Sequence, residues 1–296
     1  MLTEVQPFLL YCHSSVHAGT GSELGIVDLP IQREQHTGFP KIESSSLKGA
    51  IRASVEATLE TANSKAKDNI IAVFGSEPDD NSSGESVAGA IAFSDARILF
   101  FPVKSFKGVF AWVTCPMVLE RFAREMRLYS RQELIPGEYK EETVSGKKLL
   151  IQNHVILEEY SFQVTVDETT QNMAEIFQDL LFGTLKSDFA ERVLVLSNDD
   201  FMDFVKLSTE VNARIRIDSQ TGVVQNGALW NEENVPPETV FYSFAFAGQV
   251  RNKSKASIVT ARDVIDFIKE EKNFPEIFQL GGNYTLGKGI IQRIWL

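Results

Sequence analysis

The sequence predicts an α+β fold: strands near both ends of the chain, amphipathic helices between them, and one long early loop that carries the candidate chemistry. Three observations predict it. VQPFLLY at 5–11, VFYSFAFAG at 240–248 and IIQRIWL at 290–296 are apolar runs of strand length. Leu47, Ile51, Val55 and Leu59 recur every four residues, as on a helix with one buried face. Arg214, Ile215, Arg216 and Ile217 alternate up to the turn SQTG, and the run resumes as VVQ, which reads as a hairpin.

Taken in order, residues 3–13 form the first strand. The stretch from His17 to Arg52, HAGTGSELGIVDLPIQREQHTGFPKIESSSLKGAIR, then runs 36 residues with little hydrophobic periodicity. Connections inside compact domains usually span about 4 to 6 residues, and structureless runs beyond about 12 to 15 are functional or disordered. Ile26, Val27, Leu29, Ile31, Phe39 and Ile42 give this loop apolar anchors, which favours function. A helix follows from Ser44 to about Ala62, capped by the serines at 44–46. Lys48 and Arg52 sit at the edge of its apolar stripe, so its start can hold a phosphate or simply be a capped surface turn with solvated cations.

Residues 75–89 read as a polar loop, and AIAFSDARILFFPV as one or two strands. MVLERFAREMRL at 117–128 is a short amphipathic helix, and 130–157 is a polar excursion without assignable chemistry. A strand at 160–166 precedes a helix at 172–185, and helical signal continues over 188–206. After the hairpin and core strand come a helix at 261–272, a strand at 277–281, the loop GGNYTLGKGI and the last strand. Gly281, Gly282, Gly287 and Gly289 allow close backbone approach, and Lys288 and Arg293 add charge. The loop matches neither the P-loop nor the dinucleotide fingerprint, so no nucleotide cofactor is expected.

Composition narrows the class. With 296 residues, 43% of them hydrophobic, the chain can bury a proper core. No window approaches the roughly 18 apolar residues of a membrane helix, and the acidic residue in MLTEVQPFLLYCHSS does not suit an export signal; a cytoplasmic, membrane-free protein is expected. Cys12 and Cys115 are too few for a disulfide framework or zinc site and read as packed thiols. A net charge of -11 argues against indiscriminate coating of nucleic acid. Charge is nonetheless segregated, with acids at 77–85, 138–142, 158–168 and 232–238 and basic residues enriched in the opening loop.

The glycine loop after a helix and a strand resembles the signature of the RAMP superfamily of CRISPR proteins, which are built on ferredoxin-like, RRM-related folds. The run VDLPIQREQHTGFP narrows the resemblance to the repeating backbone subunit of type III-B (Cmr) effector complexes, and RIRIDSQTG followed by ALWNEENVPPETVFY resembles that family's thumb hairpin. The resemblance implies one RAMP domain over 1–296, with a catalytic and guide-binding loop at 14–43, a polar insertion at 130–157, a thumb at 212–237 and the glycine-rich loop at 281–289. It implies copies stacked along a guide RNA with other subunits of the complex. Complementary target RNA is then cut at regular intervals, with a divalent metal, Mg2+ or Mn2+.

Carried onto this chain, the catalytic aspartate and metal ligand is Asp28. By its residues alone, Asp28 before Pro30 reads as a turn residue. His17 is another implied catalytic residue, and beyond the thumb Glu232, with Glu233 beside it as the alternative, is the implied acid; an imidazole, titrating near pH 6.5, can shuttle protons. Ser46, Lys48, Arg52, Arg214, Arg216, Gly287 and Lys288 are the expected guide contacts. They should line one groove, with acidic surfaces outward. A non-catalytic filament scaffold and a stand-alone, metal-independent guide-processing nuclease are the alternatives, and a small-molecule enzyme fits least.

Overall fold

The computed structural model describes residues 2–22, 27–59, 64–76, 87–251 and 256–296. Strand β1 (Leu2–Cys12) places Phe8, Leu9, Leu10 and Cys12 in the core, buried on both faces as befits a strand inside a covered sheet. After the loop come β2 (Lys41–Ile42) and α1 (Ser44–Leu59), whose buried Leu47, Ile51 and Val55 form the expected stripe. The sequence reading assigns nothing to α2 (Ser64–Phe74). Most of the expected loop at 75–89, residues 77–86, lies outside the described residues, as does Ile26 in the earlier loop.

The apolar segment at 90–103 falls into β3 (Ile91–Phe93) and β4 (Ala96–Ser105). They part at Asp95, whose carboxylate accepts Ser44 N at 2.9 Å and Lys41 Nζ at 3.0 Å and so sets the start of α1. β5 (Val109–Thr114) leads into α3 (Pro116–Glu125), which starts with proline in its first turn, where no amide donor is missed. The polar excursion contains β6 (Thr143–Val144) and β7 (His154–Leu157), followed by β8 (Tyr160–Gln163) and β9 (Thr165–Val166). α4 (Glu168–Phe182) starts ahead of the expected 172 because Asp167 caps it, accepting Thr170 N at 3.0 Å.

The helical expectation for 188–206 needs correcting. Residues 193–195 are β10 (Val193–Val195), and only then does α5 (Asn198–Leu207) begin, capped by Ser197. Val193, Leu194 and Val195 are all buried, and a valine-rich run buried on both faces suits a central strand. The remaining elements are β11 (Glu210–Ile217), β12 (Val224–Asn234), β13 (Val240–Gly248), α6 (Ala261–Lys269), β14 (Ile277–Gln279) and β15 (Ile290–Trp295).

At the sheet's centre the order is β15-β1-β13-β4, every neighbour antiparallel. α1 connects β1 toward β4, and α6 connects β13 toward β15. Beyond β4 the sheet continues through β5, the parallel strand β10, β6 and β9. β11 and β12 form a separate two-stranded sheet, a hairpin outside the main sheet. Both cysteines are buried free thiols.

Candidate active site

Most of the run IQREQHTG proves to be scaffold. Gln32 is buried and donates through Nε2 to Gly19 O and Ser46 Oγ, both at 3.2 Å, while its Oε1 accepts Glu43 N at 2.7 Å. It thereby joins both limbs of the loop to the start of α1. Arg33 donates to Gly38 O at 2.9 Å, Val205 O at 3.0 Å and Glu233 Oε1 at 2.5 Å. Glu34, also buried, accepts two bonds from Arg121 Nη1 at 2.8 and 2.9 Å and one from Thr37 Oγ1 at 2.7 Å.

That scaffold lays residues 28–31 along the end of β12. Leu29 N donates to Asn231 O and Glu233 N to Leu29 O, both at 3.0 Å. Ile31 N reaches Glu233 Oε2 at 3.1 Å. Asp28 sits at the exposed tip of this contact, its Oδ2 accepting Asn231 N at 2.7 Å. Among the described residues Oδ1 has no hydrogen-bond partner, so one carboxylate oxygen is fixed and the other is available. The fixed oxygen of Asp28, with the backbone of Leu29, docks the loop on β12.

His17 comes to the same strand from the other limb. Val16 and Val235 exchange backbone bonds at 2.9 Å, and His17 Nδ1 lies 2.7 Å from Glu233 O. A carbonyl only accepts, so Nδ1 carries a proton and Nε2 is the ring nitrogen left outside that bond. The glycine loop closes behind it, with Gly282 N donating to His17 O at 3.0 Å and Gly289 N to Ser15 O at 2.9 Å.

Glu232 faces this corner from β12. Asn283 Nδ2 donates to both its carboxylate oxygens at 2.8 Å, Lys288 Nζ lies 3.7 Å and Arg214 Nη2 3.5 Å away, and Lys288 Nζ also donates to Asn234 Oδ1 at 2.8 Å. Burial opposes ionisation of Glu232, but the Asn283 amide, His17, Asn234 and Arg214 outweigh it and hold the carboxyl below its ordinary range. It stays anionic and draws Arg214 and Lys288 together.

His17, Asp28, Glu232, Arg214 and Lys288 therefore meet around the end of β12. Ser46 is tied to the loop through Gln32. Lys48 donates to Ile91 O at 3.1 Å, its ammonium pushed down by burial and then by Arg52, while Arg52 holds Gly75 O at 3.0 Å and Glu56 at 2.7 Å. These two cations engage the chain's own groups. Arg216 and Gly287 are exposed, away from those bonds. Sequence reasoning missed Asn283 and the clamping part played by Glu233, which also accepts Thr209 Oγ1 at 2.8 Å. No local signal marks them, because their partners are distant in sequence.

Gly281 and Gly289 serve close packing of the chain on itself, while Gly287 stands in open space. Gly289 has φ +77°, and a Cβ there would lie 2.1 Å from Leu280 O. Gly289→Ala is expected to cost at least about 2 kcal/mol, from the left-handed backbone and the collision together, read as a lowered urea midpoint.

The RAMP superfamily model matches residues 9–292. The CRISPR system Cmr endoribonuclease Cmr4 of Pyrococcus furiosus is 36% identical over 288 residues, covering 96% of this chain and 92% of that protein. The crystal structure of oligomeric Cmr4 from Pyrococcus furiosus superposes with a TM-score of 0.70 at 30% identity, covering 98% of this chain and 97% of that one. A chain of the type III-B Cmr-beta complex bound to cognate target RNA shares the fold, with a TM-score of 0.74 at 23% identity over 99% of this chain and 98% of its own. With a family match across the scaffold, β12 and the glycine loop alike, this chain belongs to the RAMP superfamily and, within it, to the Cmr4 family.

Proposed function

We propose that this chain is a repeating backbone subunit of a type III-B RNA-guided complex, and that it binds guide RNA and cleaves complementary target RNA at Asp28. The observation that carries this is an exposed carboxylate, fixed through one oxygen, at the root of a protruding apolar hairpin. Ile217 is 58% exposed, Val223 62% and Leu229 67%, more apolar surface than a solvated strand pair needs. The hairpin is read as the thumb, its apolar tip sliding between bases and opening the strand beside Asp28. Likewise β15-β1-β13-β4 with its two helical crossovers is read as a ferredoxin-like core. No helix among the described residues is long and apolar enough to cross a membrane.

RNA cleavage requires the 2′-oxygen, phosphorus and 5′-oxygen in line, and stabilisation of the charge that builds on the phosphate. His17 Nε2 is the proton acceptor for the 2′-OH. Lys288 and Arg214, gathered by Glu232, hold the backbone. Among the described residues no three His, Cys, Asp or Glu side chains form a metal cage. Asp28, with one oxygen available, suits Mg2+ or Mn2+, since Mg2+ commonly takes one or two carboxylates and fills its sphere with water and phosphate oxygens. Such an ion would neutralise charge on the scissile phosphate.

The test is cleavage of end-labelled target RNA by the reconstituted, guide-loaded complex. Regularly spaced products are expected, abolished by chelator and restored by Mg2+ or Mn2+. Cleavage that survives chelation would remove the metal, and target binding without any cleavage would reduce the chain to a scaffold.

A further inference from the structure

Gly19 lies directly against the His17 imidazole. Its φ is outside the left-handed region, so the backbone does not demand glycine there. Space does. A Cβ on Gly19 would lie 2.6 Å from His17 Nε2, 3.1 Å from Cε1 and 3.4 Å from Cδ2, its three nearest atoms all belonging to that ring. The ring has little room to withdraw, because Nδ1 is bonded to Glu233 O at 2.7 Å and the His17 carbonyl is held by Gly282 N at 3.0 Å. Gly281 closes the same side, where a Cβ would stand 2.5 Å from His17 O. Nor is Gly19 free to shift, since its own carbonyl accepts Gln32 Nε2 at 3.2 Å.

We propose that Gly19 is a positioning residue for RNA cleavage: its missing side chain keeps the Nε2 edge of His17 open to the ribose 2′-OH of the scissile nucleotide. The inference rests on the reading of His17 as proton acceptor. In that step the 2′-O–H bond breaks and its proton passes to Nε2. The 2′-O–P bond forms, the P–O5′ bond breaks, and the 5′-oxygen leaves with the electron pair and takes a proton from water. A methyl at position 19 fills the approach to Nε2, or forces the ring to tilt off the Glu233 carbonyl. Either way the lone pair no longer meets the 2′-OH.

The experiment is a double-mutant cycle in the guide-loaded complex, comparing wild type, Gly19→Ala, His17→Ala and the double variant. It reads single-turnover cleavage rate, target Kd and the pH–rate profile. Gly19→Ala is expected to slow cleavage by about 10²-fold, the lower end of what a positioned proton acceptor contributes, with Kd unchanged. The acid limb of the wild-type profile, which reports an imidazole that must be unprotonated, should vanish in both single variants. The double variant should be no slower than His17→Ala, because no ring remains to be struck. If Gly19→Ala impairs assembly, the double variant should assemble normally for the same reason. A double variant slowed by the product of both single effects would show that alanine damages the loop independently of the ring, and would overturn the proposal, as would a wild-type rate in Gly19→Ala. A wild-type rate in His17→Ala would overturn the underlying reading of His17.

Discussion

Asp28→Asn is expected to slow target cleavage by about 10²- to 10³-fold, the equivalent of roughly 3 to 4 kcal/mol of transition-state stabilisation, while guide and target affinity stay unchanged. Asparagine is the informative replacement. Its amide oxygen can still accept Asn231 N, the bond of 2.7 Å that docks the loop, so residues 28–31 should remain against β12. What it loses is the charge, and with it the ability to hold a divalent ion beside phosphate oxygens. Asp28→Ala removes both the charge and the docking bond, so it should be at least as slow and also somewhat less stable. Single-turnover rates and filter binding on the same complexes separate chemistry from affinity. Near-normal cleavage by Asp28→Asn would confine Asp28 to a structural part and send the search for charge stabilisation to Glu232 and its neighbours.

The helix α1 was legible because its buried residues are periodic, and β1 and β13 because each is a long apolar run rich in aromatic and branched residues. The framework was less legible at 193–196, an apolar run without a period and too short for its length to part strand from helix. The site was legible in a different sense. Composition alone left Asp28 as a turn residue, and the specificity of VDLPIQRE singled it out through resemblance. The chemical logic behind that run needed coordinates. Arg33 serves Glu233, Gly38 and Val205, and Glu34 serves Arg121, so both charges of this run are spent on holding the loop. Lys48 and Arg52 follow the same pattern, which leaves Arg214, Arg216 and Lys288 as the expected cations nearest the hairpin and glycine loop. Partners such as Glu233 and His17 lie in different halves of the chain, so no spacing rule links them.

Glu34→Ala is expected to destabilise the chain by about 3 to 5 kcal/mol, the usual cost of stranding one member of a buried ion pair. Arg121 would keep its charge in a site only 9% exposed and lose the carboxylate that receives its Nη1. Arg97, 3.6 Å from Glu34, would retain Glu125 as its partner, so the loss falls mainly on Arg121. The effect should depend on pH. Burial opposes the charge on Glu34, yet Arg121, Thr37 and Arg97 together outweigh it and lower its carboxyl from the ordinary 4.5. A carboxyl depressed in the folded state contributes stability that is present above the unfolded value and lost as pH falls through the folded one. The gap between wild type and Glu34→Ala should therefore be full at neutral pH and shrink below about pH 4, as measured by urea unfolding at both conditions. A gap of equal size at both would mean that packing, rather than charge, sets the value of Glu34. Because Glu34 anchors the turn that follows Arg33, the same variant should also loosen the grip of Arg33 on Glu233. Cleavage should then fall further than the loss of folded protein accounts for, since the clamp on β12 that aims His17 and Asp28 begins at this buried pair.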